Sequence, residues 1–302
     1  MNASAAITFL APAKLNLSLE VFGKRSDGFH DIRSVMVPVS LYDEVTVEGS
    51  TDGVSVECDA PGIPKDEGNS CHRAASLFRE WAGEPTGVRI RLRKGIPSEA
   101  GLGGGSSDAA ATLKGLCALT GRRPSQEELL SMAARVGADV PFFTLGGAAL
   151  VEGYGERLSP MTWEVPFHAV IVLPSFGLST REGYGRLRRG AMEPPPKGNI
   201  PSFRDFSDLA SFVRNDFEKA WAAEYPEIGG LKRELKAAGA LAAGLSGSGS
   251  AVFGLFPSEE DARGAAGRLK GGGGDGMRCF VARSIASAGN VGGRRQQCAS
   301  PR

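Results

Sequence analysis

The sequence has few cysteines, and none of them forms a pattern that indicates a site. The five cysteines among 302 residues form no C-x-x-C pair and show no zinc-type spacing, and their number is odd. Disulfide frameworks and zinc sites use paired or closely spaced cysteines. We therefore expect reduced thiols, no disulfide frame and a cytoplasmic location.

An excess of charge of one sign is also missing. The chain carries 35 Lys and Arg against 34 Asp and Glu, a formal net charge of +1. A balanced charge argues against a nucleic-acid binder, which needs a basic surface. No apolar run reaches the length of a membrane span, and the N-terminus lacks a basic segment followed by an apolar core. We expect neither a nucleic-acid partner nor a membrane partner.

Glycine, in contrast, is abundant, with 42 residues, and it concentrates in one loop. Residues 94–108 read Lys-Gly-Ile-Pro-Ser-Glu-Ala-Gly-Leu-Gly-Gly-Gly-Ser-Ser-Asp, followed by a run of helix formers. Free backbone N–H groups at the start of a helix attract anions, because the orphan donors and the helix dipole both face the ligand. This loop therefore predicts a phosphate-binding site.

The loop matches neither of two common nucleotide motifs. It lacks the Lys-Ser/Thr pair of the P-loop, and Ser106 stands where the dinucleotide fingerprint has its third glycine. The acidic residue that this fingerprint places about 20 positions later is missing as well. A flexible glycine linker is the alternative, and it is disfavoured because the loop lies between the alternating strand 88–93 and a capped helix.

A polar pair lies on the first long strand. Leu15, Leu17, Leu19 and Val21 alternate with polar residues, which predicts a half-buried strand. Lys14 and Asn16 then share the face opposite the leucines. That face meets either solvent or a cleft, and the strand alone does not decide between them.

Two further segments contain residues with more than one interpretation. Residues 23–30 form a turn that ends in Phe29 and His30, and a histidine beside an aromatic ring is either structural or functional. Asp139 precedes an apolar Val-Pro-Phe-Phe run, where an unpaired carboxylate costs free energy. It is either a catalytic group or a helix cap ahead of Pro141.

The remaining pattern predicts alternating helices and strands. Asn69 should cap a helix, and Ser125 should open another with a capping box. In the second half we expect strands at 169–173, 251–256 and 277–284, helices at 204–222, 226–238 and 258–269, and a glycine-serine loop at 242–250.

Several segments, in one order along residues 7–285, resemble the GHMP kinases. The residues that carry the resemblance are Pro-x-Lys-x-Asn at 12–16, Asp-Gly-Phe-His at 27–30, the loop at 97–107, Gly-Ala-Asp-Val-Pro-Phe-Phe at 137–143 and Gly-Ser-Gly at 247–249. The resemblance implies an α+β, two-domain GHMP kinase fold, with an N-terminal domain like domain 2 of ribosomal protein S5 and a ferredoxin-like C-terminal domain. We place the ATP-binding domain at 1–160, the C-terminal domain at 161–287 and a disordered tail at 288–302.

The resemblance also implies an activity, namely transfer of the ATP γ-phosphoryl group, with Mg²⁺, to a hydroxyl of a small molecule that carries a cytidine diphosphate group. Lys14 and Asp139 would be catalytic, and Asn16, Phe29, His30 and Thr180 would bind the acceptor. Phe29 departs from the tyrosine usual in the family, so any hydrogen bond of that hydroxyl is lost. The spacing of the acidic residues assigns no metal ligand, and the oligomeric state stays open. The expected ATP-binding residues are Asn69, Pro97, Ser98, Glu99, Ala100, Gly101, Leu102, Gly103, Gly104, Gly105, Ser106 and Ser107.

Two other functions remain open from the sequence. The first is another GHMP kinase activity, on homoserine or mevalonate, which would not need a base-recognition pair such as Phe29 and His30. The second is a nucleotide-binding module without turnover, against which the retention of both Lys14 and Asp139 argues.

Overall fold

The computed structural model describes residues 5–83, 87–187, 200–272, 276–286 and 294–297. Its strands are β1 (Ala5–Lys24), β2 (His30–Ser50), β3 (Val54–Cys58), β4 (Gly87–Arg93), β5 (Ala149–Gly153), β6 (Arg157–Pro160), β7 (His168–Leu173), β8 (Arg214–Asn215), β9 (Ala242–Leu245), β10 (Val252–Phe256), β11 (Arg278–Arg283) and β12 (Arg294–Gln297). Its helices are α1 (Ser70–Ala82), α2 (Gly104–Thr120), α3 (Gln126–Val136), α4 (Val140–Leu145), α5 (Thr180–Arg186), α6 (Phe206–Phe212), α7 (Phe217–Trp221), α8 (Pro226–Ala237) and α9 (Glu259–Gly272).

The first half is built on a sheet with two unusually long strands. β1 and β2 pair antiparallel from Ala6 opposite Glu48 to Lys24 opposite His30. The sheet runs β12-β1-β2-β4-β3, with β5 on β2, β6 on β5 and β8 on β1. The described helices include none that is long and apolar enough to cross a bilayer.

The second half contains a smaller sheet in the order β11-β7-β10-β9, with every pairing antiparallel. Along the chain, β7 is the first of these strands, β9 the second, β10 the third and β11 the fourth. Across the sheet, their order is therefore fourth, first, third, second. α8 precedes β9 and α9 follows β10, and both helices contact the sheet. This arrangement confirms the ferredoxin-like domain.

The two sheets share an apolar cluster, which fixes how the halves meet. Leu15 and Leu17 of β1 belong to the same buried cluster as Ile171 of β7 and Phe253 of β10. Because successive side chains on a strand point to opposite faces, Lys14 and Asn16 lie on the other face of β1. That face is not solvated, since both side chains are buried. The polar pair therefore faces a cleft.

The predicted helix starts agree with the structure at two positions. The Asn69 side chain accepts a hydrogen bond from the Cys71 N–H, and Ser125 forms a complete capping box with Glu128. The single helix expected at 204–222 is wrong, because α6 ends at Phe212 and β8 then pairs with β1. The cause is Asn215, whose side chain bonds backbone groups outside any helix.

The disordered tail expected from residue 288 is also wrong in part. Residues 294–297 form β12, which pairs antiparallel with residues 5–8 of β1. An edge strand offers unpaired N–H and C=O groups, which any extended segment can complete. The other residues of that tail lie outside the described ranges.

Candidate active site

The glycine loop ends in the open start of α2. Gly103, the residue before the helix, has φ 74°, a left-handed conformation that favours glycine. The Ser107 N–H bonds the Gly103 carbonyl at 2.9 Å, so the N–H groups of the first turn before it have no intrahelical partner. They border a cavity of about 340 Å³, the loop cavity, which Asn69, Leu92 and residues 97–101 also line.

The second glycine-serine loop holds the first loop in place. The Ser246 hydroxyl donates to the Gly101 carbonyl at 3.0 Å, and the Ala251 N–H donates to the Ala100 carbonyl at 3.1 Å. A Cβ on Gly101 would collide with the Ser246 carbonyl oxygen, and Gly101 also has φ 75°. Glycine is therefore required at residue 101 by both space and conformation.

The 246–249 loop is in turn fixed by the C-terminal domain. The Asn215 amide donates to the carbonyls of Leu245, at 2.7 Å, and Gly247, at 2.8 Å, and its oxygen accepts from the Phe217 N–H. The Trp221 indole donates to the Ser248 carbonyl at 3.0 Å. These contacts anchor the loop within the C-terminal half, while its bonds to Ala100 and Gly101 reach the N-terminal half.

A buried charge cluster behind the loop was not expected from the sequence. The Lys94 amine lies 2.5 Å from Asp43 Oδ2 and 2.6 Å from Asp108 Oδ2. The second oxygen of Asp43 accepts from the N–H groups of Gly95 and Ile96. Burial and the neighbouring Asp43 raise the pKa of Asp108 to about 7, although Lys94 opposes that shift. The cluster ties β2, the end of β4 and α2 together around the loop.

A larger cavity of about 850 Å³, the cleft cavity, meets the loop cavity at shared lining residues. Glu99, Gly101, Gly103 and Ser106 line both. A nucleotide whose base and ribose occupy the loop cavity could therefore present its terminal phosphate to a molecule in the cleft cavity.

Lys14 and Asp139 lie together in the cleft cavity. Lys14 Nζ is 4.0 Å from Asp139 Oδ2, with the lysine buried and the aspartate one-third exposed. Asp139 immediately precedes α4, but its side chain makes no capping hydrogen bond. The geometry thus favours the charged pair over the helix-cap alternative.

A hydrogen-bonded chain positions Lys14. Its amine donates to the Asn16 side-chain oxygen, and the Asn16 amide donates to the Ser34 hydroxyl at 2.8 Å. Ser34 donates in turn to the Ser18 carbonyl at 2.6 Å. Burial lowers the pKa of Lys14, and the negative charge of Asp139 raises it in part. Asp139 therefore helps to keep the buried amine protonated.

One end of the cleft cavity has an aromatic lining. Phe29 is 58% exposed, and its ring centroid lies 5.3 Å from that of Tyr154. The His30 ring stacks on Tyr184 at 5.0 Å and 18°. Burial and the positive charge of Lys24 lower the pKa of His30, which keeps its ring neutral near pH 7. Open aromatic faces beside a neutral imidazole can stack on a base and hydrogen-bond its edge.

Most of the sequence-predicted residues reach these cavities. Lys14, Asn16, Phe29, Asp139 and Thr180 line the cleft cavity, where the Thr180 hydroxyl lies 2.7 Å from the Ser248 hydroxyl. His30 reaches this region through its stack on Tyr184 and is not a lining residue. The predicted ATP-binding residues that line the loop cavity are Asn69, Pro97, Ser98, Glu99, Ala100, Gly101, Gly103, Gly104, Gly105 and Ser106.

Leu102 and Ser107 differ from this group. Leu102 is 1% exposed and accepts the Lys14 backbone N–H at 3.0 Å. Ser107 lines neither cavity; its N–H is used inside α2, and its side chain lines a different, smaller cavity. The helical rotation explains this correction, because Ser106 and Ser107 are about 100° apart around α2.

Sequence reasoning missed Tyr154, Tyr184, Phe217 and Ser248, all of which line the cleft cavity. Tyr154 is part of a turn and Tyr184 lies on a short helix, and neither segment carries a periodic signal. Spacing from the 247–249 motif could have indicated Ser248. The aromatic residues become adjacent only through the tertiary fold.

No group of three or more His, Cys, Asp or Glu within the described ranges is arranged to hold a metal ion. A magnesium ion bound with a triphosphate needs only one or two protein oxygens, because phosphates and water supply the others. Glu99 and Ser106 line both cavities and offer oxygen atoms. The residues present therefore fit a nucleotide-bound Mg²⁺.

Comparison with known proteins agrees with this geometry. The family model for the GHMP kinases N terminal domain matches residues 69–147, and the model for the GHMP kinases C terminal region matches residues 197–274. A 4-diphosphocytidyl-2-C-methyl-D-erythritol kinase from Geobacter metallireducens is 45% identical over 86% of this chain and 92% of its own length. One from Acetivibrio thermocellus is 38% identical over 92% and 99%.

Comparison with solved structures agrees with these sequence matches. A crystal structure of 4-(cytidine 5'-diphospho)-2C-methyl-D-erythritol kinase superposes with a TM-score of 0.77 at 37% identity, covering 92% of this chain and 98% of that one. A homoserine kinase from Cytophaga hutchinsonii, at 22% identity and a TM-score of 0.73 over 93% and 95%, shares the fold. By sequence, fold and motif order, this chain belongs to the GHMP kinases and, within them, to the 4-diphosphocytidyl-2-C-methyl-D-erythritol kinase family.

Proposed function

We propose that the protein transfers the γ-phosphoryl group of ATP to the 2-hydroxyl of 4-diphosphocytidyl-2-C-methyl-D-erythritol, a step of the non-mevalonate route to isoprenoid precursors. The observation that carries the proposal is the meeting of two cavities at one phosphate loop, with Lys14 and Asp139 in the second cavity. The 38–45% identity to kinases of that name supports the choice of acceptor.

Asp139 acts as the general base in this proposal. Its carboxylate is partly exposed to the cleft cavity and makes no capping bond, so it is free to accept the proton of the attacking hydroxyl. For phosphoryl transfer, the protein mainly has to align the reacting groups and stabilise the charge of the transition state. The Lys14 ammonium provides such charge, because it is held near Asp139 and faces the phosphate loop, with its side chain close to Gly103.

The phosphates of ATP lie against the free N–H groups at the start of α2, with the Ser106 hydroxyl adding a donor. When bound, Mg²⁺ neutralises charge on the triphosphate, and Glu99 and Ser106, which line both cavities, are the residues that would hold it. Asn69 borders the base, although its side chain already caps α1 and donates to the Pro64 carbonyl at 2.7 Å.

The aromatic end of the cleft cavity binds the cytosine of the acceptor. Phe29 and Tyr154 supply stacking surfaces, and the neutral His30 hydrogen-bonds the base edge. Asn16 and Thr180 line the same cavity and offer polar contacts for the methylerythritol chain. Stacking needs only the ring, so phenylalanine at residue 29 is compatible with this role.

The test is an acceptor panel with the purified protein, ATP and Mg²⁺. We expect ADP formation with the cytidine-diphospho acceptor and none with homoserine or mevalonate. ADP formation with homoserine alone would contradict the proposed acceptor. It would indicate the activity of another GHMP kinase, because homoserine kinase has the same fold. Nucleotide binding without turnover on any acceptor would favour a binding module. The expected cytoplasmic location is tested separately, by fractionation of the native host.

A further inference from the structure

A small cavity on the other side of α2 has no place in the proposed reaction. It measures about 60 Å³ and lies between β1, α2 and α4. Ser107, Ala110, Ala111 and Lys114 line it, at the helical spacing i, i+3, i+4 and i+7, whereas the loop cavity touches Gly104, Gly105 and Asp108. The helix therefore separates two cavities of different character.

The walls of this back cavity are apolar apart from two side chains. Phe9, Leu10, Pro12, Pro38, Phe142, Phe143 and Ile285 supply most of its surface. At about 10–15 Å³ for one water-sized position, 60 Å³ holds about four to six such positions. That is the size of a short organic molecule rather than of a nucleotide.

The two polar side chains have hydrogen-bonding capacity that the described residues leave unused. The Ser107 hydroxyl is buried, in a residue that is 1% exposed, and it has no hydrogen-bond partner among the described residues. The Lys114 amine donates to the Phe143 carbonyl at 2.8 Å, which uses one of its three donors. No carboxylate of the described chain forms an ion pair with Lys114, and burial lowers the pKa of its amine.

A buried hydroxyl without a partner and an ammonium without a counter-ion are both unfavourable in an apolar setting. A single carboxylate would accept from both groups, and a short hydrocarbon tail would fill the apolar remainder. Inorganic phosphate fits less well, because an ion with no apolar part needs more donors than these two groups supply.

We propose that the back cavity is a binding site for a short-chain monocarboxylate, held by Lys114 and Ser107. The site is separate from the catalytic cleft. Its wall residue Phe143 also packs toward the phosphate loop, since a Cβ on Gly103 would lie 2.8 Å from the Phe143 ring. A ligand here therefore contacts the residues that support the loop.

The experiment follows binding of butyrate to the full chain by saturation-transfer NMR, at constant ionic strength. A ligand of six heavy atoms should bind with a Kd on the order of 1 to 10 mM. We expect saturable transfer to butyrate, little transfer to n-butylamine and no competition from inorganic phosphate. Equal signals from butyrate and butylamine would refute the carboxylate site, as would competition by phosphate or the absence of any butyrate signal.

Two variants locate the site. Lys114→Met removes the charge at nearly constant volume, and Ala111→Leu fills the cavity while leaving Lys114 in place. Each should reduce butyrate binding at least about tenfold, the first because a charged contact is lost and the second because the ligand no longer has space. Lys219→Met, at an exposed lysine of α7, is the control and should bind like the parent. If Lys114→Met does not fold, the Ala111→Leu variant and the comparison of butyrate with n-butylamine still test the proposal. Unchanged binding in a folded Ala111→Leu protein would overturn the proposal.

Discussion

Lys14 Nζ lies 4.0 Å from Asp139 Oδ2, although one residue is in the middle of β1 and the other directly precedes α4. The lysine is desolvated and the aspartate is partly open to the cleft cavity. This unequal exposure suits the proposed division of work, in which an accessible carboxylate takes a proton and a shielded cation stabilises charge.

Asp139→Asn should reduce kcat by about 10² to 10⁴-fold, the usual contribution of a general base. Nucleotide affinity should stay within a few-fold, because the loop cavity is untouched. The Asp139 charge raises the pKa of Lys14, so its loss lowers that pKa further. The alkaline limb of any residual activity should therefore move to lower pH. Steady-state kinetics across pH checks both points, and unchanged turnover would remove Asp139 from the base role.

Lys14→Met should lower kcat by at least about 10²-fold, in line with the loss of one preorganised charge at a transition state. Stability should change less than turnover, because the remaining partner Asp139 is one-third exposed and stays hydrated when the ammonium is removed. Urea unfolding and turnover, measured together, separate the two effects. Lys219→Met, at an exposed lysine of α7, is the control. A variant as active as that control would contradict the proposed role of Lys14.

Gly105→Ala should stabilise the protein by up to about 1 kcal/mol through helix propensity, yet weaken ATP binding. A Cβ at Gly105 meets no atom within 4 Å and enters the loop cavity, where a phosphate would approach the backbone. Gly104→Ala is the comparison, because its Cβ would press on Ile96 and Asp43 instead. Calorimetric titration with ADP measures the affinity. Undiminished ADP binding in Gly105→Ala would argue against a close backbone contact with phosphate.

Asp108→Asn should change how stability depends on pH. The folded-state pKa of Asp108 is raised to about 7 from 3.8, so the native state binds more protons than the unfolded state between those values. The parent protein should then lose stability, relative to the variant, as pH rises from about 4 to about 7. In this variant the asparagine oxygen still accepts a hydrogen bond from Lys94, and Lys94 keeps its ion pair with Asp43.

Urea unfolding at several pH values tests this expectation. The difference in the free energy of unfolding between the two proteins should vary below pH 7 and become constant above it. Ser125→Ala, at an exposed cap on α3, should lower stability by about 1 kcal/mol throughout the range from about pH 5 to pH 7, in which Glu128 stays ionised. Parallel pH curves for the parent and Asp108→Asn would contradict the raised pKa.

Phe29→Ala should raise KM for the cytidine-diphospho acceptor about 5- to 150-fold, since stacking on a base contributes about 1–3 kcal/mol. KM for ATP should not change, because Phe29 lines only the cleft cavity. Phe29→Tyr keeps the ring and should stay close to the parent. Equal acceptor KM values for the alanine and tyrosine variants would show that the ring does not contact the base.

The sequence determined the elements whose cause is local. The caps at Asn69 and Ser125 and the alternation of Leu15 and Leu17 follow from neighbouring residues, and the structure confirms them. The family resemblance added the roles expected of Lys14 and Asp139, which local pattern could not supply.

The tertiary structure decided what depends on distant segments. It turned Lys14 and Asn16 toward a cleft rather than solvent, because the opposite face of β1 packs on the second sheet. It interrupted the helix expected at 204–222, since the Asn215 amide donates to the carbonyls of Leu245, at the end of β9, and Gly247, in the loop that follows. It also placed Ser106 and Ser107, adjacent in sequence, in different cavities, because a helix turns by about 100° per residue. Local sequence fixes a residue's conformation; the packing of the two sheets fixes what its side chain meets.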